Sequence, residues 1–302
     1  MSAPVLALET LRIEVPEEAL EAFEAALLTA CPTVGFFRDG DEGPWMLEAV
    51  KQRGEGEAAL AAGLALAEAA TGIAPLLERA PVEADGWLLR THAAFPEQFV
   101  GRRFALRGSH IDEPPQAGRI TLVLDAGAAF GSGEHATTRL CLRALETLRG
   151  RPRRILDLGT GTGVLALAAA RLFHRQDVVA ADIDPWAVRV AAENARRNHM
   201  RLRLGVANGW GSAWLRQAGP YDLVLANILA RPLRRMAGGL ARNMAPGGSV
   251  ILSGLLWRQV AWVAESHRAQ GLVLQHALRE GDWAALILRR PYPAKFSPPS
   301  GW

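Results

Sequence analysis

The sequence lacks the residues and patterns that several common classes of protein require. Only two of its 302 residues are cysteines, Cys31 and Cys141, and they form no CxxC pair, so neither a disulfide framework nor a thiolate metal site is indicated. None of the seven histidines lies four residues from another, and no HExxH motif is present, which argues against zinc chemistry. We therefore expect no bound metal.

Long apolar runs and lysines are also scarce. No run of eighteen apolar residues occurs, and the first residues include acids where a signal peptide would have a basic and then an apolar segment. We therefore expect a soluble, cytoplasmic protein that binds no membrane. Lysine occurs only at Lys51 and Lys295, which leaves few candidates for a catalytic lysine.

Charge is unevenly distributed, although the net charge is only +3. Residues 1–100 hold 17 acidic and 6 basic side chains, a net charge of −11, whereas residues 101–302 hold 14 acidic and 28 basic ones, a net charge of +14. An acidic module linked to a basic one is suited to hold a basic protein and to face an acidic surface such as RNA. The same charges would also serve merely to solvate two surfaces, so both interpretations stay open.

The first ninety residues alternate short strand and helix patterns. Thr10–Val15 alternates polar and apolar residues as a half-buried strand does, and a pattern with apolar residues at helical spacing follows Pro16. Two strand-like runs joined by a polar turn, an alanine-rich helix pattern and a last extended run complete the order βαββαβ. This order predicts an α+β, ferredoxin-like domain over residues 1–95, a fold that serves many functions.

The pattern changes beyond this domain. Residues 96–119 are rich in proline, arginine and glycine, and we interpret them as a connector. Residues 120–290 alternate strand and helix patterns, which predicts an α/β domain with a doubly wound, mostly parallel sheet. The sequence VLQHALREGDWAALILRR near its end predicts an antiparallel hairpin, and residues 291–302 are a proline-rich tail.

The most specific motif is DLGTGTG, residues 157–163, between an apolar strand pattern and an alanine-rich helix pattern. Glycines at alternate positions permit a tight turn in which a ligand lies against backbone amides at a helix start. Asp182 follows at the end of the next strand pattern, where a carboxylate is placed to bind ribose hydroxyls. Asp184 directly precedes Pro185 and is expected to cap the next helix. The alternative is that both acids only cap that helix.

Nicotinamide dinucleotides and S-adenosyl-L-methionine both use such a loop, so the cofactor needs further evidence. The loop reads GxGxG where the dinucleotide fingerprint has GxGxxG, and Pro246-Gly247-Gly248 predicts a turn before the fifth strand. Together with the final hairpin, these features resemble the class I methyltransferase fold over residues 150–290, which implies S-adenosyl-L-methionine as cofactor. An NAD-dependent dehydrogenase is the alternative.

Two further polar stretches extend the candidate site. Asn227 follows the strand pattern YDLVLA at the end where open α/β sheets bind ligands, and its amide suits an amine nucleophile. It would otherwise be an ordinary turn asparagine. Residues 130–138, FGSGEHATT, precede an apolar helix pattern and form either a solvated loop or one that covers a ligand.

The combination of FGSGEHATT, DLGTGTG, DIDP and NILA resembles the ribosomal protein L11 methyltransferase family over most of the chain. The resemblance implies that residues 130–138 cover the bound cofactor, with Ser132 in place of the family's usual threonine. Thr137 or Thr138 would then cap the following helix. By position, the family's cofactor residues fall on Thr138, Gly159, Asp182 and Asn227. To this expected site we add Phe130 and Gly161, which belong to the same two motifs.

The resemblance further implies an enzyme that methylates lysine side-chain and N-terminal amines of ribosomal protein L11, free or on the large subunit. The N-terminal domain would dock this protein, and Asn227 would orient the amine. His135 is a candidate general base, or it holds the loop in place. We expect a monomer whose contact with ribosomal RNA is incidental.

Two alternatives of function remain at this point. A related protein-lysine N-methyltransferase with a different protein target would have the same cofactor motifs. A degenerate fold that binds the ribosome without catalysis is less consistent with the sequence, because Gly159, Asp182 and Asn227 are intact.

Overall fold

The computed structural model describes residues 8–31, 34–38, 43–81, 97–124, 135–174 and 177–292. The chain divides into two compact units, Met1–Thr91 and His92–Trp302. This division falls a few residues before the boundary that the sequence predicts. In the described ranges, the smaller unit has one sheet and the larger unit has two.

The smaller unit has the predicted order βαββαβ. Its strands form a sheet in the order β2-β3-β1-β4, and every neighbouring pair is antiparallel. This topology is consistent with the ferredoxin-like arrangement. The elements are β1 (Leu8–Val15), α1 (Leu20–Leu27), β2 (Val34–Arg38), β3 (Trp45–Gln52), α2 (Glu57–Thr71) and β4 (Glu78–Pro81).

Alternation along the strands places the core of this unit on one face of the sheet. Along β1, Leu11, Ile13 and Val15 are buried, whereas Arg12 and Glu14 are exposed. The period of two therefore sends alternate side chains to opposite faces, as the sequence predicts.

The two helices of the smaller unit pack closely because one position carries no side chain. A Cβ atom on Gly63 of α2 would lie 2.9 Å from the Ala26 carbonyl oxygen of α1. A larger residue at position 63 would therefore push α2 away from α1.

A small sheet opens the larger unit. It consists of β5 (Gln98–Val100), β6 (Phe104–Arg107) and β7 (Ile120–Val123), in that order. Two of these strands lie within residues 96–119, for which composition predicts a connector. Phe104 and Leu106 are fully buried in the core of the larger unit, so this stretch is integral to that unit.

The main sheet confirms the doubly wound prediction. Its strand order is β10-β9-β8-β11-β12-β14-β13, in which the first five strands are parallel and β14 pairs antiparallel with both β12 and β13. The antiparallel pair is the predicted hairpin. The strands are β8 (Ile155–Leu158), β9 (Val178–Asp182), β10 (Arg203–Val206), β11 (Tyr221–Asn227), β12 (Met244–Leu256), β13 (Val273–Glu280) and β14 (Trp283–Arg289).

Within the described part of this unit, six α-helices accompany the sheet, and apolar cores lie on both of its faces. Along β11, Leu223 and Leu225 belong to one core, whereas Val224 and Ala226 belong to the other. The first core contains side chains of α3, α4 and α5, and the second contains side chains of α6, α7 and α8. The helices are α3 (Ala136–Thr147), α4 (Val164–Phe173), α5 (Pro185–Arg197), α6 (Ala213–Ala218), α7 (Ala230–Asn243) and α8 (Val260–Arg268).

One predicted turn is wrong. Residues 246–248 lie within β12 and do not form a separate turn before it. Gly247 has φ +77°, and its N–H donates to the Arg290 carbonyl at 2.8 Å, while the Arg290 N–H donates to the Gly248 carbonyl at 2.9 Å. The glycines therefore bend the strand without ending it, because its backbone keeps partners across the irregular residue.

Three further observations concern the described residues alone. Both cysteines are buried and free, and burial raises the pKa of the Cys141 thiol well above its usual range. No group of three or more histidine, cysteine, aspartate or glutamate side chains there is placed to hold a metal ion. None of the helices found in those ranges is long and apolar enough to span a membrane.

Candidate active site

The glycine loop lies at the carboxyl edge of the main sheet, between β8 and α4. The N–H groups of Gly159 and Thr160 both donate to the Ala181 carbonyl of β9, at 2.8 and 3.0 Å. These two bonds fix the start of the loop against the end of the neighbouring strand. The edge of a parallel sheet where strand order reverses is where such folds bind ligands.

All three glycines of the loop, Gly159, Gly161 and Gly163, have positive φ angles, which other residues rarely adopt. Gly159 has φ +75°, and a Cβ atom there would collide with the Ile228 side chain at the end of β11. Gly163 has φ +84° and directly precedes α4. The loop therefore needs glycine both for its backbone angles and for its close approach to β11.

Asp157 holds the glycine loop in place through hydrogen bonds. Its Oδ2 accepts hydrogen bonds from the Thr160 hydroxyl at 2.7 Å and from the Ala166 N–H at 3.0 Å. The side chain is fully buried, and desolvation raises its pKa to about 7. The sequence alone assigns Asp157 no role, although an acid within an apolar strand pattern is a signal that the sequence offers.

The Asp182 carboxylate is bonded directly to the glycine loop. Its Oδ2 accepts from the Gly161 N–H at 2.9 Å and its Oδ1 accepts from the Asp184 N–H at 3.1 Å. Desolvation raises the pKa of this carboxyl, and the two N–H donors oppose that shift. Because an ionised carboxylate offers about four acceptor positions, it retains capacity for hydroxyl donors of a ligand.

Asp184 has the predicted capping geometry. It precedes Pro185, the first residue of α5, and its Oδ1 accepts from the Trp186 N–H at 2.8 Å. The predicted N-cap is confirmed, which leaves Asp182 as the acid that faces the loop.

Asn227 and Thr138 are brought together from distant parts of the sequence. The Asn227 amide nitrogen donates to the Thr138 hydroxyl of α3 at 3.3 Å. The Asn227 Oδ1 is buried and has no hydrogen-bond partner among the described residues. Since a buried acceptor without a partner costs about 1–3 kcal/mol, this oxygen is a candidate acceptor for an N–H of a ligand.

His135 caps α3, a role that the sequence assigned to Thr137 or Thr138. Its Nδ1 lies 2.8 Å from the Thr137 hydroxyl and accepts from the Thr137 N–H at 3.3 Å. Its ring packs edge-on against Trp283, with 4.5 Å between ring centroids. Desolvation lowers the pKa of His135 to about 4, with a smaller contribution from Arg139. The capping expectation for the threonines is wrong, because both lie inside the helix and are buried.

Replacing His135 by asparagine is expected to reduce the loss of stability in acid. The folded pKa of about 4 lies below the ordinary value of 6.5, so the folded state binds fewer protons than the unfolded state between these pH values. Stability from neutral His135 is therefore present above pH 6.5 and is lost as the pH falls toward 4, by about 2–3 kcal/mol at pH 4.5. Urea unfolding at neutral and acidic pH would measure this difference for both proteins.

The control for this prediction is His135→Ala, which removes the cap as well as the titrating ring. It should be about 1 kcal/mol less stable than His135→Asn at both pH values, because neither variant titrates at position 135 and only the cap differs. Asparagine is itself a good N-cap, so His135→Asn tests the titration alone. Equal loss of stability in acid for the wild type and His135→Asn would contradict the assigned pKa.

An ion pair links α3 to the final hairpin beside His135. Arg139 donates through Nε to the Glu280 carboxylate at 2.7 Å, and its Nη2 lies 2.5 Å from the same oxygen. The partners are 141 residues apart, and the sequence offers no signal that would pair them. This contact and the packing of Trp283 position the start of α3 against the hairpin.

The remaining predicted site residue lies outside the described residues. Phe130 falls in the range 125–134, together with the two glycines and the serine of FGSGE. Of the opening motif, the structure describes the segment from His135 onward. The structure therefore brings Gly159, Gly161 and Asp182 together around one loop, and Asn227 and Thr138 together beside it.

Comparison with known proteins identifies the family of this chain. The family model described as Ribosomal protein L11 methyltransferase (PrmA) matches residues 55–291. The Ribosomal protein L11 methyltransferase of Bradyrhizobium diazoefficiens is 45% identical over 231 residues, which cover 75% of this chain and 78% of the relative. That of Rhizobium meliloti is 44% identical over 218 residues, which cover 71% and 74% of the two chains.

A solved structure supports the same conclusion. The crystal structure of ribosomal protein L11 methylase from Lactobacillus delbrueckii subsp. bulgaricus matches with a TM-score of 0.60 and 29% identity, and it covers 65% of this chain and 99% of that one. With a family model matching well over half of its residues, the chain belongs to the ribosomal protein L11 methyltransferase family.

Proposed function

We propose that this protein transfers methyl groups from S-adenosyl-L-methionine to lysine side-chain and N-terminal amines of ribosomal protein L11, in the cytoplasm. The relatives are named for methylation of that protein, and their similarity covers most of this chain. The observation that carries the proposal is the placement of the Asn227 Oδ1, a buried acceptor without a described partner beside the glycine loop. This oxygen would accept a hydrogen bond from an N–H of the substrate amine.

The residues of the site fit the chemical groups of this cofactor. The Asp182 carboxylate is partly buried, is bonded to the glycine loop and retains acceptor capacity for the two ribose hydroxyls. Gly159 and Gly161 let a ligand approach the backbone at the carboxyl end of β8. Asn227 and Thr138 add an amide and a hydroxyl at the end of β11. Phe130 belongs to this proposed site by its motif alone.

The chain's main task in this reaction is positioning. When bound, S-adenosyl-L-methionine supplies a methyl group that its positively charged sulfonium already activates. Asn227 would accept an N–H of the neutral substrate amine through Oδ1, while Thr138 fixes the amide by accepting from its nitrogen. When the amine is held in one orientation beside the methyl group, the bimolecular reaction becomes effectively unimolecular, and its entropic cost is met on binding.

Removal of the amine proton needs no strong base on the protein. A lysine with a pKa of about 10.4 costs roughly 4.6 kcal/mol to deprotonate at pH 7, and an α-amino group at about 7.7–8.0 costs about 1–1.4 kcal/mol. The pKa of about 4 makes His135 a weak proton acceptor, and its Nδ1 is occupied by the helix cap. We therefore propose that solvent accepts the amine proton and that His135 positions the start of α3.

The acidic smaller unit would dock the basic substrate. Two of its acids already have a cationic partner, since Lys51 lies 3.0 Å from Glu9 and 2.6 Å from Glu57. Exposed carboxylates lie elsewhere, at the end of β1 and at the turn that follows it. They are Glu14, Glu17 and Glu18. These three side chains form the acidic docking surface of this proposal, and a basic protein would be attracted to it in a salt-dependent way.

The neighbouring acids Asp182 and Asp184 provide a matched pair of variants for the cofactor site. Asp182→Ala is expected to weaken binding of S-adenosyl-L-methionine by about 1.5–3 kcal/mol, the range for hydrogen bonds to a charged group. Asp184→Ala should mainly lower the free energy of unfolding, by about 0.5–2 kcal/mol, because it removes the cap of α5. Calorimetry and urea unfolding of both variants separate the two effects, and exchanged phenotypes would refute the assignment.

One experiment tests both the activity and the target. The protein is incubated with methyl-labelled S-adenosyl-L-methionine and with ribosomal extract from cells that lack this methyltransferase, and the labelled protein is identified. The proposal expects label on ribosomal protein L11. Label on a different protein would instead indicate a related protein-lysine N-methyltransferase, and saturable NAD binding without S-adenosylhomocysteine binding would overturn the cofactor assignment.

A further inference from the structure

Helices α7 and α8 and the turn before α8 carry a surface that the active site does not use. It displays six exposed arginines, which we call the arginine surface: Arg231, Arg234, Arg235, Arg242, Arg258 and Arg268. The sequence from residue 230 to residue 268 contains a single acid, Glu265. That acid is bonded to Arg268 at 2.7 Å through both of its oxygens.

Helical spacing places the four arginines of α7 on its outer side. They stand at positions 231, 234, 235 and 242, and the core-facing side chains of the same helix include Leu233, Ala237 and Leu240. A helix with 3.6 residues per turn brings positions separated by three, four and seven residues onto one face. Within the described ranges, Arg234, Arg235 and Arg242 form no ion pair with an acid, so their positive charge is not neutralised.

An exposed tryptophan lies among these charges. Trp262 of α8 is 38% exposed, and the Arg234 guanidinium lies 4.0 Å from the centroid of its ring. The Arg234 guanidinium stacks on the indole ring of Trp262. Together they form a flat surface with other arginines beside it. Nucleic-acid-binding surfaces combine the same two features, since arginines contact phosphates and aromatic rings stack on bases.

We infer that the arginine surface binds RNA, with its guanidinium groups on phosphates and Trp262 against a base. Planar guanidinium groups match phosphate oxygens in a bidentate way, and an acidic protein would give the tryptophan ring no stacking partner of equal quality. By contrast, Arg196 and Arg197 of α5 lie 3.6 and 3.7 Å from the Glu193 carboxylate. Helix α5 also carries an exposed ring beside a guanidinium, Trp186 with Arg189 at 5.0 Å. Among the described residues, the arginine surface therefore differs in the three arginines without an ion pair, Arg234, Arg235 and Arg242, that accompany its ring.

The position of the surface relates it to the active site. Helix α7 begins at Ala230, three residues after Asn227, so its first arginine, Arg231, lies near the carboxyl edge of the sheet, while Arg242 lies at the far end of the helix. RNA on this surface would therefore reach the carboxyl edge at one of its ends. This placement suits a substrate that is itself bound to RNA, and that part of the inference depends on the proposed function. RNA binding itself does not depend on it, and the test below measures no methyl transfer.

Fluorescence anisotropy with a labelled, mixed-sequence single-stranded RNA of about 20 nucleotides tests the inference on the full chain. The test variant is Arg234→Gln, Arg235→Gln and Arg242→Gln combined. The control variant removes the same charge from exposed residues near the other end of the sheet, by Arg196→Gln, Arg197→Gln and Arg201→Gln. Circular dichroism and thermal unfolding establish that both variants fold.

The test variant is expected to bind RNA at least about tenfold more weakly at about 0.1 M salt. The magnitude of the slope of log K against log salt should fall by roughly 2, because each of the three lost phosphate contacts contributes about 0.7. The control should lose much less. Trp262→Ala should weaken binding at least about fivefold without changing the slope.

Three outcomes would overturn the inference. They are an absence of saturable RNA binding, equal losses in the test and control variants, and polyglutamate binding that matches RNA while Trp262→Ala has no effect. The last result would assign the surface to an acidic protein, including the acidic unit of this same chain. S-adenosylhomocysteine calorimetry on the test variant keeps failure of this inference separate from failure of the proposed function.

Discussion

Deletion of residues 1–91 is expected to leave the affinity for S-adenosyl-L-methionine nearly unchanged and to reduce methyl transfer to ribosomal protein L11 by about 100- to 1,000-fold. The deleted stretch is the smaller compact unit, and every hydrogen bond described for the glycine loop and for Asn227 lies in the larger one. Docking on a separate module raises the effective concentration of substrate by a factor of this order. Calorimetry and methyl transfer on the same truncated protein measure the two quantities.

A milder variant of the full chain controls for misfolding after deletion. Combined replacement of Glu14, Glu17 and Glu18 by glutamine removes three exposed charges at one end of β1. It should raise KM for the ribosomal protein, leave kcat nearly unchanged and reduce the salt dependence of KM. Undiminished transfer by the folded truncated protein would show that the larger unit recognises its substrate unaided.

Asn227→Ala is expected to lower kcat for methyl transfer by about 100-fold, because the amine loses the acceptor that orients it. Binding of S-adenosylhomocysteine should weaken much less, since Asp182 and the glycine loop are unchanged. Steady-state kinetics and calorimetry on the same preparation give both numbers.

Thr138→Val is the matched control for this variant. It preserves the shape of residue 138 and removes the hydroxyl that accepts from the Asn227 amide at 3.3 Å. We expect a smaller loss, about fivefold to tenfold, in line with one hydrogen bond of about 1 kcal/mol. A variant at position 227 whose cofactor affinity falls as much as its kcat would place Asn227 in cofactor binding alone.

Elements with a strong local signal were predictable from the sequence. The alternation along β1, the apolar strands of the main sheet and the final hairpin depend on periodicity, which acts within a few residues. The cap at Asp184 was predictable for the same reason, because Pro185 fixes the start of the helix. Because these signals act locally, they are sufficient to predict the fold class without tertiary contacts.

Features that depend on tertiary contacts were not predictable in this way. Strands β5 and β6 are only three and four residues long. Because they lie among many proline, arginine and glycine residues, the composition of the segment predicts a connector and not strands. His135 replaced the expected threonine as helix cap, because its ring gains an apolar partner in Trp283 from the hairpin. The pairing of Arg139 with Glu280 likewise requires the sheet to bring the hairpin beside α3.

The candidate site was partly predictable for a physical reason. Gly159 and Asp182 belong to a motif whose backbone angles and strand position demand particular residue types. The support that Asp157 gives to the loop follows from its complete burial, which depends on the packed sheet. The contact between Asn227 and Thr138 joins residues 89 positions apart and became visible only in the folded chain.

The intact mass of purified, unmethylated ribosomal protein L11 after incubation with this protein and S-adenosyl-L-methionine tests the central claim most directly. The account predicts mass increases in whole methyl units, located by peptide mapping to lysine side chains or the N-terminal amine, and strongly reduced by Asn227→Ala. An unchanged mass under conditions in which calorimetry shows the cofactor bound to the folded protein would contradict the claim.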